Sequence, residues 1–478
     1  MSKEFTIDYA DSFGVHEPPS ETDLLPDEVF ESETDSRAFM RQYEYDVAVI
    51  GGGPAGQSAA IRAAKIGAKV IMFEREALGG LWLNAGCIPA KSYLIPENGV
   101  YDFGKAVSRK NNISSKLTSD SARNLRSCRV RIEAGEAILK SAHEIVCRGR
   151  VYNVSKIILC CGSKALKPSS FNTEHPDIYT SGDLFKLAEL PPRLLILGGN
   201  HEGCEIAFAF ASYGSNVMLI EPSSSLLPGW DADISEAVAK ALINAGVKVH
   251  PGITIHDIGD KGGHPYVITE RGGVLCDKVL ISSDRKPDIG SIGSLGSAIE
   301  LDDGVITVNE YMETSFPGIY AAGDITGLDF QTQAACKMGE VAAMNAMGRK
   351  TTFDIRAIPM TVYTTPEAAS VGITEDEAQI DLGDELVVGV SNFSSNIRAI
   401  LNDKTEGFVK VLAGKKYGEI LGVHIFGATA TEMISEAAAM MRMEVTIHEI
   451  IGDIFHAHPT YSEAFAEACQ DAVNKTGI

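Results

Sequence analysis

The 478-residue chain is short of positive charge: 42 lysines and arginines face 64 aspartates and glutamates, a net charge of −22 at pH 7. That balance argues against nucleic acid or an anionic membrane surface as a partner, since like charge repels both. Long apolar runs are absent. None approaches the eighteen or so consecutive residues that cross a bilayer. The first residues are acidic and lack an apolar stretch, unlike a secretory leader, so a cytoplasmic protein is expected. Cysteine is scattered, nine residues with no CxxC pair and no zinc-ligand spacing. This excludes a disulfide-stapled small fold and offers no metal site. Cys160, Cys161, Cys204 and Cys276 sit in apolar runs and read as packing residues. Tryptophan is scarcer still, with two residues, one of them Trp82.

What is present is the composition of an ordinary soluble globular protein, 45% hydrophobic and 22% charged, long enough for two to four domains. Residues 1–44 are rich in Ser, Glu, Asp and Pro and lack periodicity, and read as a solvated acidic extension. Tyr45-Asp46-Val47-Ala48-Val49-Ile50 is a β-branched run followed by Gly51-Gly52-Gly53-Pro54-Ala55-Gly56, an Ala-rich helical stretch to Lys65, and a second strand ending in Glu74. A strand, a G-x-G-x-x-G turn, a helix and an acid about twenty residues on form the dinucleotide-binding pattern. The glycines let a pyrophosphate approach the backbone, the helix start supplies free N–H groups, and Glu74 would accept from a ribose hydroxyl. Leu194-Leu195-Ile196-Leu197-Gly198-Gly199-Asn200-His201-Glu202-Gly203 opens a second such unit, with Glu221 ending its next strand. Here Asn200 replaces a glycine, and a Cβ at that point crowds the phosphates.

Several segments carry a family resemblance. Leu78-Gly79-Gly80-Leu81-Trp82-Leu83-Asn84-Ala85-Gly86-Cys87-Ile88-Pro89-Ala90-Lys91 resembles the redox segment of the flavin-dependent pyridine nucleotide-disulfide oxidoreductases, dihydrolipoamide dehydrogenase-like members in particular. Thr314-Ser315-Phe316-Pro317-Gly318-Ile319-Tyr320-Ala321-Ala322-Gly323-Asp324 resembles the family's second FAD segment, and Ile157-Ile158-Leu159-Cys160-Cys161-Gly162-Ser163 the strand that closes the first. Tyr363-Thr364-Thr365-Pro366-Glu367, Asn396-Ile397-Arg398-Ala399 and Glu419-Ile420-Leu421-Gly422-Val423-His424-Ile425-Phe426-Gly427 look like its dimerisation domain. Phe455-His456-Ala457-His458-Pro459-Thr460-Tyr461-Ser462-Glu463 resembles its H-x-HPT-x-SE active-site segment.

The resemblance covers about residues 45–478. It implies an α/β fold with two Rossmann-like domains, one for FAD and one of NAD type, and a C-terminal α+β dimerisation domain. The expected boundaries are 1–44 for the extension, 45–189 and 289–352 for the two FAD portions, 190–288 for the NAD-like domain and 353–478 for the interface domain. It implies FAD held by Gly51, Gly53, Pro54, Ala55, Gly56, Glu74, Gly162, Gly323 and Asp324. It also implies a homodimer in which His458, oriented by Glu463, serves as acid–base for the other subunit. Cys87 matches the thiol beside the flavin, Lys91 the lysine near flavin N5 and Glu205 its ion-pair partner.

The departures matter as much. Relatives carry a second redox cysteine where this chain has Trp82, and one sulfur cannot form an intramolecular disulfide. Asn200, Glu202 and Asp284 replace family residues around the nicotinamide site and add two carboxylates, so NAD(H) binding is expected to be weakened or lost. Glu221 suits an unphosphorylated ribose if a dinucleotide binds at all. His201 and Glu202 could serve another substrate on that face, and Trp82 could line a substrate site. The sequence therefore points to an FAD-dependent oxidoreductase acting on a thiol or another small redox substrate through Cys87, His458 and Glu463. Two alternatives stay open: an NAD(P)H-dependent quinone reductase or transhydrogenase, and a flavin-bound scaffold without catalysis.

Overall fold

The computed structural model describes residues 42–168, 171, 174–283, 285–296 and 298–476. Contacts divide the chain into a unit Met1–Glu44 and a unit Tyr45–Ile478. The acidic extension falls almost wholly outside the described residues. Every described strand belongs to the second unit.

The first sheet of that unit has seven strands. Tyr45–Ile50 lies between Val70–Glu74 and Arg150–Leu159, parallel to both. Arg131–Ala134 extends one edge. Ile319–Ala321 arrives from far along the chain to pair with Arg150–Leu159, so the second portion expected from the motif at 314–324 returns to this sheet. Alternation along Tyr45–Ile50 explains why both faces are covered. Val47 and Val49 face a core that includes Ala55, Ala59, Ala60 and Ala63 of helix Pro54–Lys65. Ala48 and Ile50 join Ile71, Phe73 and Ile157 on the opposite side. The alanine stripe has a use: it lets helix Thr332–Ala346 come close, to the point that a Cβ on Gly339 would lie 2.1 Å from the Ala55 carbonyl oxygen.

The second sheet is parallel and five-stranded, ordered Lys248–Pro251, Asn216–Glu221, Arg193–Leu197, Lys278–Ile281 and Ile178–Tyr179. The last of these precedes residue 190, so the second sheet takes one strand from the stretch that the sequence reading attaches to the first FAD portion. The C-terminal part is an antiparallel five-stranded sheet, with Ile420–Gly427 central between Glu367–Gly372 and Phe408–Gly414. Helices Ala430–Arg442, Ile447–Asp453 and Glu463–Thr476 share its core. Among the described residues no helix is long and apolar enough to cross a membrane.

Lys410, on Phe408–Gly414, is 3% exposed as a side chain and meets three carboxylates: Asp231 at 2.6 Å, Asp233 at 2.8 Å and Glu375 at 2.8 Å. Asp231 caps helix Ala232–Asn244 of the second sheet's layer. The cluster therefore fastens the C-terminal sheet to the nucleotide-binding part. Burial alone would lower the Lys410 ammonium, but its hydrogen bonds to the three acids raise it well above its ordinary value.

Candidate functional site

A cleft of ≈ 670 Å³ runs along the carboxyl ends of the first sheet and reaches the start of helix His201–Ser212. Ligand clefts of this volume are ordinary for small molecules and cofactors. Its floor is the first glycine turn. Gly51 holds φ +104°, where a Cβ would strike the Cys160 carbonyl oxygen at 2.1 Å, so only glycine lets the chain turn here. Gly53 differs: a Cβ there would meet nothing within 4 Å. It precedes helix Pro54–Lys65, whose first turn has no side-chain cap. Backbone N–H groups at an uncapped helix start beside open space make an anion site. Glu74 accepts from the N–H of Gly52 at 2.7 Å and of Glu76 at 2.8 Å, which fixes its carboxylate on the cleft wall.

Gly162, Gly323 and Asp324 also line this cleft. Asp324 accepts a hydrogen bond from Ser163 Oγ, which in turn accepts from Arg285 Nε at 2.8 Å. Burial raises the Asp324 carboxyl, only partly offset by Ser163 and Arg285. Such a group readily shares a proton or hydrogen bond with a hydroxyl. An open phosphate cradle, an acid at the strand end and a half-buried acid further along suit the pyrophosphate, ribose and ribityl parts of FAD. The residues present fit that group.

Cys87 begins helix Cys87–Leu94 and opens onto the cleft. It is exposed, and its Sγ lies 3.7 Å from Thr332 Oγ1. All nine cysteines are free. One turn into the same helix, Lys91 donates to both oxygens of Glu205, at 2.8 and 2.6 Å. Glu205 is 1% exposed and also accepts from the Tyr363 N–H at 3.1 Å. Burial by itself would lower the Lys91 ammonium. The Glu205 charge, with the Cys87 sulfur adding to it, holds Lys91 above its ordinary value. Three parts of the chain thus meet at one buried charge pair.

Trp82 lies in the short helix Gly80–Asn84 and lines the cleft, with its indole nitrogen buried and without a hydrogen-bond partner among the described residues. His201 and Glu202 line the cleft from the second nucleotide unit. Cys161 needs a correction. The sequence reads it as a packing residue, yet it is half-buried on the cleft wall. Burial pushes its thiol up to about 11, so it stays protonated at neutral pH. Cys160, Cys204 and Cys276 are buried as expected.

At the second turn, Asn200 caps helix His201–Ser212: its Oδ1 accepts from the Gly203 N–H at 2.9 Å. Glu221 accepts from the Gly199 N–H at 2.6 Å. Asp284 lies outside the described residues.

His458 and Glu463 are off the cleft, on the C-terminal part. His458 Nδ1 is 2.8 Å from Glu463 Oε1, and Glu463 Oε2 accepts from the Thr460 N–H at 2.8 Å. The His458 hydrogen bond, aided by that of Thr460, holds the Glu463 carboxyl below its ordinary range. With Nδ1 committed to the carboxylate, Nε2 is left to exchange a proton, and 62% of the His458 side chain is exposed. A second pair sits beside the first: His456 Nε2 is 2.8 Å from Glu436 Oε1. Sequence reasoning missed Glu436, which lies twenty residues upstream of His456 in helix Ala430–Arg442. It also missed Arg285 and Thr332. Nothing in the local sequence marked either of them. Among the described residues no cluster of three or more potential ligands could hold a metal ion.

A family profile described as pyridine nucleotide-disulphide oxidoreductase matches residues 45–347, and one described as that family's dimerisation domain matches residues 358–469. A dihydrolipoyl dehydrogenase of Thermus scotoductus is 34% identical over 458 residues, 91% of this chain and 98% of its own. One from Bacillus subtilis is 32% identical over 452 residues, 88% of this chain and 97% of its own. Among solved structures, the HOCl-induced flavoprotein disulfide reductase RclA of Escherichia coli is similar, with a TM-score of 0.82 at 27% identity, covering 90% of this chain and 99% of that one.

Proposed function

Because this chain belongs to the pyridine nucleotide-disulphide oxidoreductase family, we propose that it is an FAD-dependent, homodimeric oxidoreductase that oxidises a thiol, or acts on another small redox substrate, through a single sulfur. The observation that carries this reading is Cys87: exposed on the cleft wall, one helical turn from the Lys91–Glu205 pair, with Trp82 lining the same cleft. When bound, FAD supplies a two-electron acceptor and donor. The rest falls to side chains. Lys91, fixed by Glu205, lines the same cleft as Cys87. His458 of the partner subunit takes a proton from the incoming substrate at Nε2, and Glu463 keeps the imidazole in the tautomer that can accept it. Trp82 narrows the approach to Cys87 and selects small substrates.

The test is anaerobic reduction of the FAD-loaded protein, followed at wavelengths beyond those of free reduced and oxidised flavin. Added long-wavelength absorbance that disappears in Cys87→Ser supports the reading. An unchanged spectrum in that variant refutes it.

A further inference from the structure

The chain holds two copies of one strand–turn–helix unit. Gly51-Gly52-Gly53-Pro54-Ala55-Gly56 corresponds, position by position, to Gly198-Gly199-Asn200-His201-Glu202-Gly203. Their backbones follow one path. The first glycines have φ of +104° and +111°. The third positions, Gly53 and Asn200, have φ of −73° and −69° and ψ of −169° and 178°. The acids correspond as well, Glu74 bonded to the Gly52 N–H and Glu221 to the Gly199 N–H. The main-chain cradle for a dinucleotide is therefore preserved in the second unit, and the difference at its centre is a side chain.

At Gly53 that side-chain space is open. At Asn200 it holds a carboxamide fastened by three hydrogen bonds. Its Oδ1 accepts from the Gly203 N–H at 2.9 Å and from Ser282 Oγ at 2.7 Å, and its Nδ2 donates to the Ser282 carbonyl at 3.3 Å. One of the helix-start donors open to a phosphate oxygen, the Gly203 N–H, is already taken from within the chain. Glu202, in the same first turn, adds a carboxylate on the cleft side of this helix start.

We infer that the Asn200 carboxamide is a built-in plug of the second nucleotide unit. That unit acts as a wall of the flavin cleft and takes no pyridine dinucleotide, and electrons enter from a small donor without a pyrophosphate, past His201 and Glu202. Backbone geometry alone would have licensed the opposite conclusion; the bonded side chain decides it. The inference is independent of the role given to Cys87, since binding can be read without turnover.

The experiment is equilibrium titration of the FAD-loaded protein with NADH and with NADPH, by calorimetry and by nicotinamide fluorescence. The wild type is expected to show no saturable binding below about 1 mM. Asn200→Gly, which copies the open first turn, is expected to bind NADH at least tenfold more tightly than that limit, with retained flavin content showing that it folds. Asn200→Asp keeps the cap acceptor and should gain nothing. Micromolar binding by the wild type overturns the inference. So does a folded Asn200→Gly variant that gains no affinity, because the carboxamide would then not be what closes the site.

Discussion

Replacing Lys91 by Met isolates the charge pair on which the cleft is built. Glu205 is 1% exposed and has three donors: two hydrogen bonds from Lys91 and one from the Tyr363 N–H. The variant keeps the stem's volume and removes two of the three, leaving a carboxylate in an apolar setting without its cation. Breaking a buried pair in this way costs about 3–5 kcal/mol. The surviving Tyr363 donor and the 27% exposure of the Lys91 side chain place the loss near the lower end, about 3 kcal/mol. The sign with pH follows from which charge is stranded. In the wild type the Lys91 ammonium is raised above its ordinary 10.5. Its stabilisation is therefore complete below that value, is lost only as pH rises through the folded value, and is flat between pH 5 and 8. In Lys91→Met the penalty comes from an uncompensated negative charge, so it is larger at pH 8 than at pH 5. Urea unfolding at both pH values with FAD in excess measures this, and the double variant Lys91→Met, Glu205→Gln should recover most of the loss. A single variant within about 1 kcal/mol of wild type at pH 8, or a double variant no better than the single, refutes the reasoning.

Glu463→Gln should lower turnover by roughly 100-fold. The wild-type carboxyl is held below its ordinary 4.5, so its contribution is present above that pH and lost only as pH falls through the depressed value; an acid limb above pH 5 that vanished in this variant would contradict that assignment. Lys410→Met should destabilise the protein by about 3 kcal/mol in calorimetric unfolding, because Asp231 is left buried; a change under about 1 kcal/mol would mean the cluster is not the fastening between the two parts. Gly51→Ala should yield protein without flavin, since its Cβ cannot coexist with the Cys160 carbonyl; normal flavin content would contradict the geometry. Trp82→Cys supplies a second sulfur five residues before Cys87, and titration of free thiols after oxidation should show two fewer than after reduction; no difference would mean that the surrounding pocket no longer accommodates a disulfide.

Much of this molecule was readable from local patterns. The glycine turns, the acids Glu74 and Glu221 and the His458–Glu463 pair all depend on residues within about twenty-five positions of one another. Short-range geometry of that kind is written in spacing. The family resemblance extended the reading to the Lys91–Glu205 pair, 114 residues apart, which no local rule would have found. Other features escaped. Cys161 looked like core because its neighbours are apolar, yet it faces the cleft where Arg150–Leu159 ends. Strand Ile178–Tyr179 is two residues long and joins the second sheet only because Lys278–Ile281 offers an edge. Glu436, which bonds His456, and the acids around Lys410 carry no pattern of their own.

By itself the sequence determined that the chain would build two glycine turns of dinucleotide-binding pattern, and that an oriented histidine would follow near the C-terminus. Each rests on residues close in the chain, where bond geometry leaves few alternatives. Tertiary structure alone decided the state of the second turn. Asn200 in place of glycine says that space is reduced, not how it is used. The bonds of its carboxamide to Ser282, 82 residues away, exist because parallel pairing sets Lys278–Ile281 beside Arg193–Leu197 and brings the two turns together at one end of the sheet. The order of strands, which local sequence does not encode, turned a substitution into a filled site.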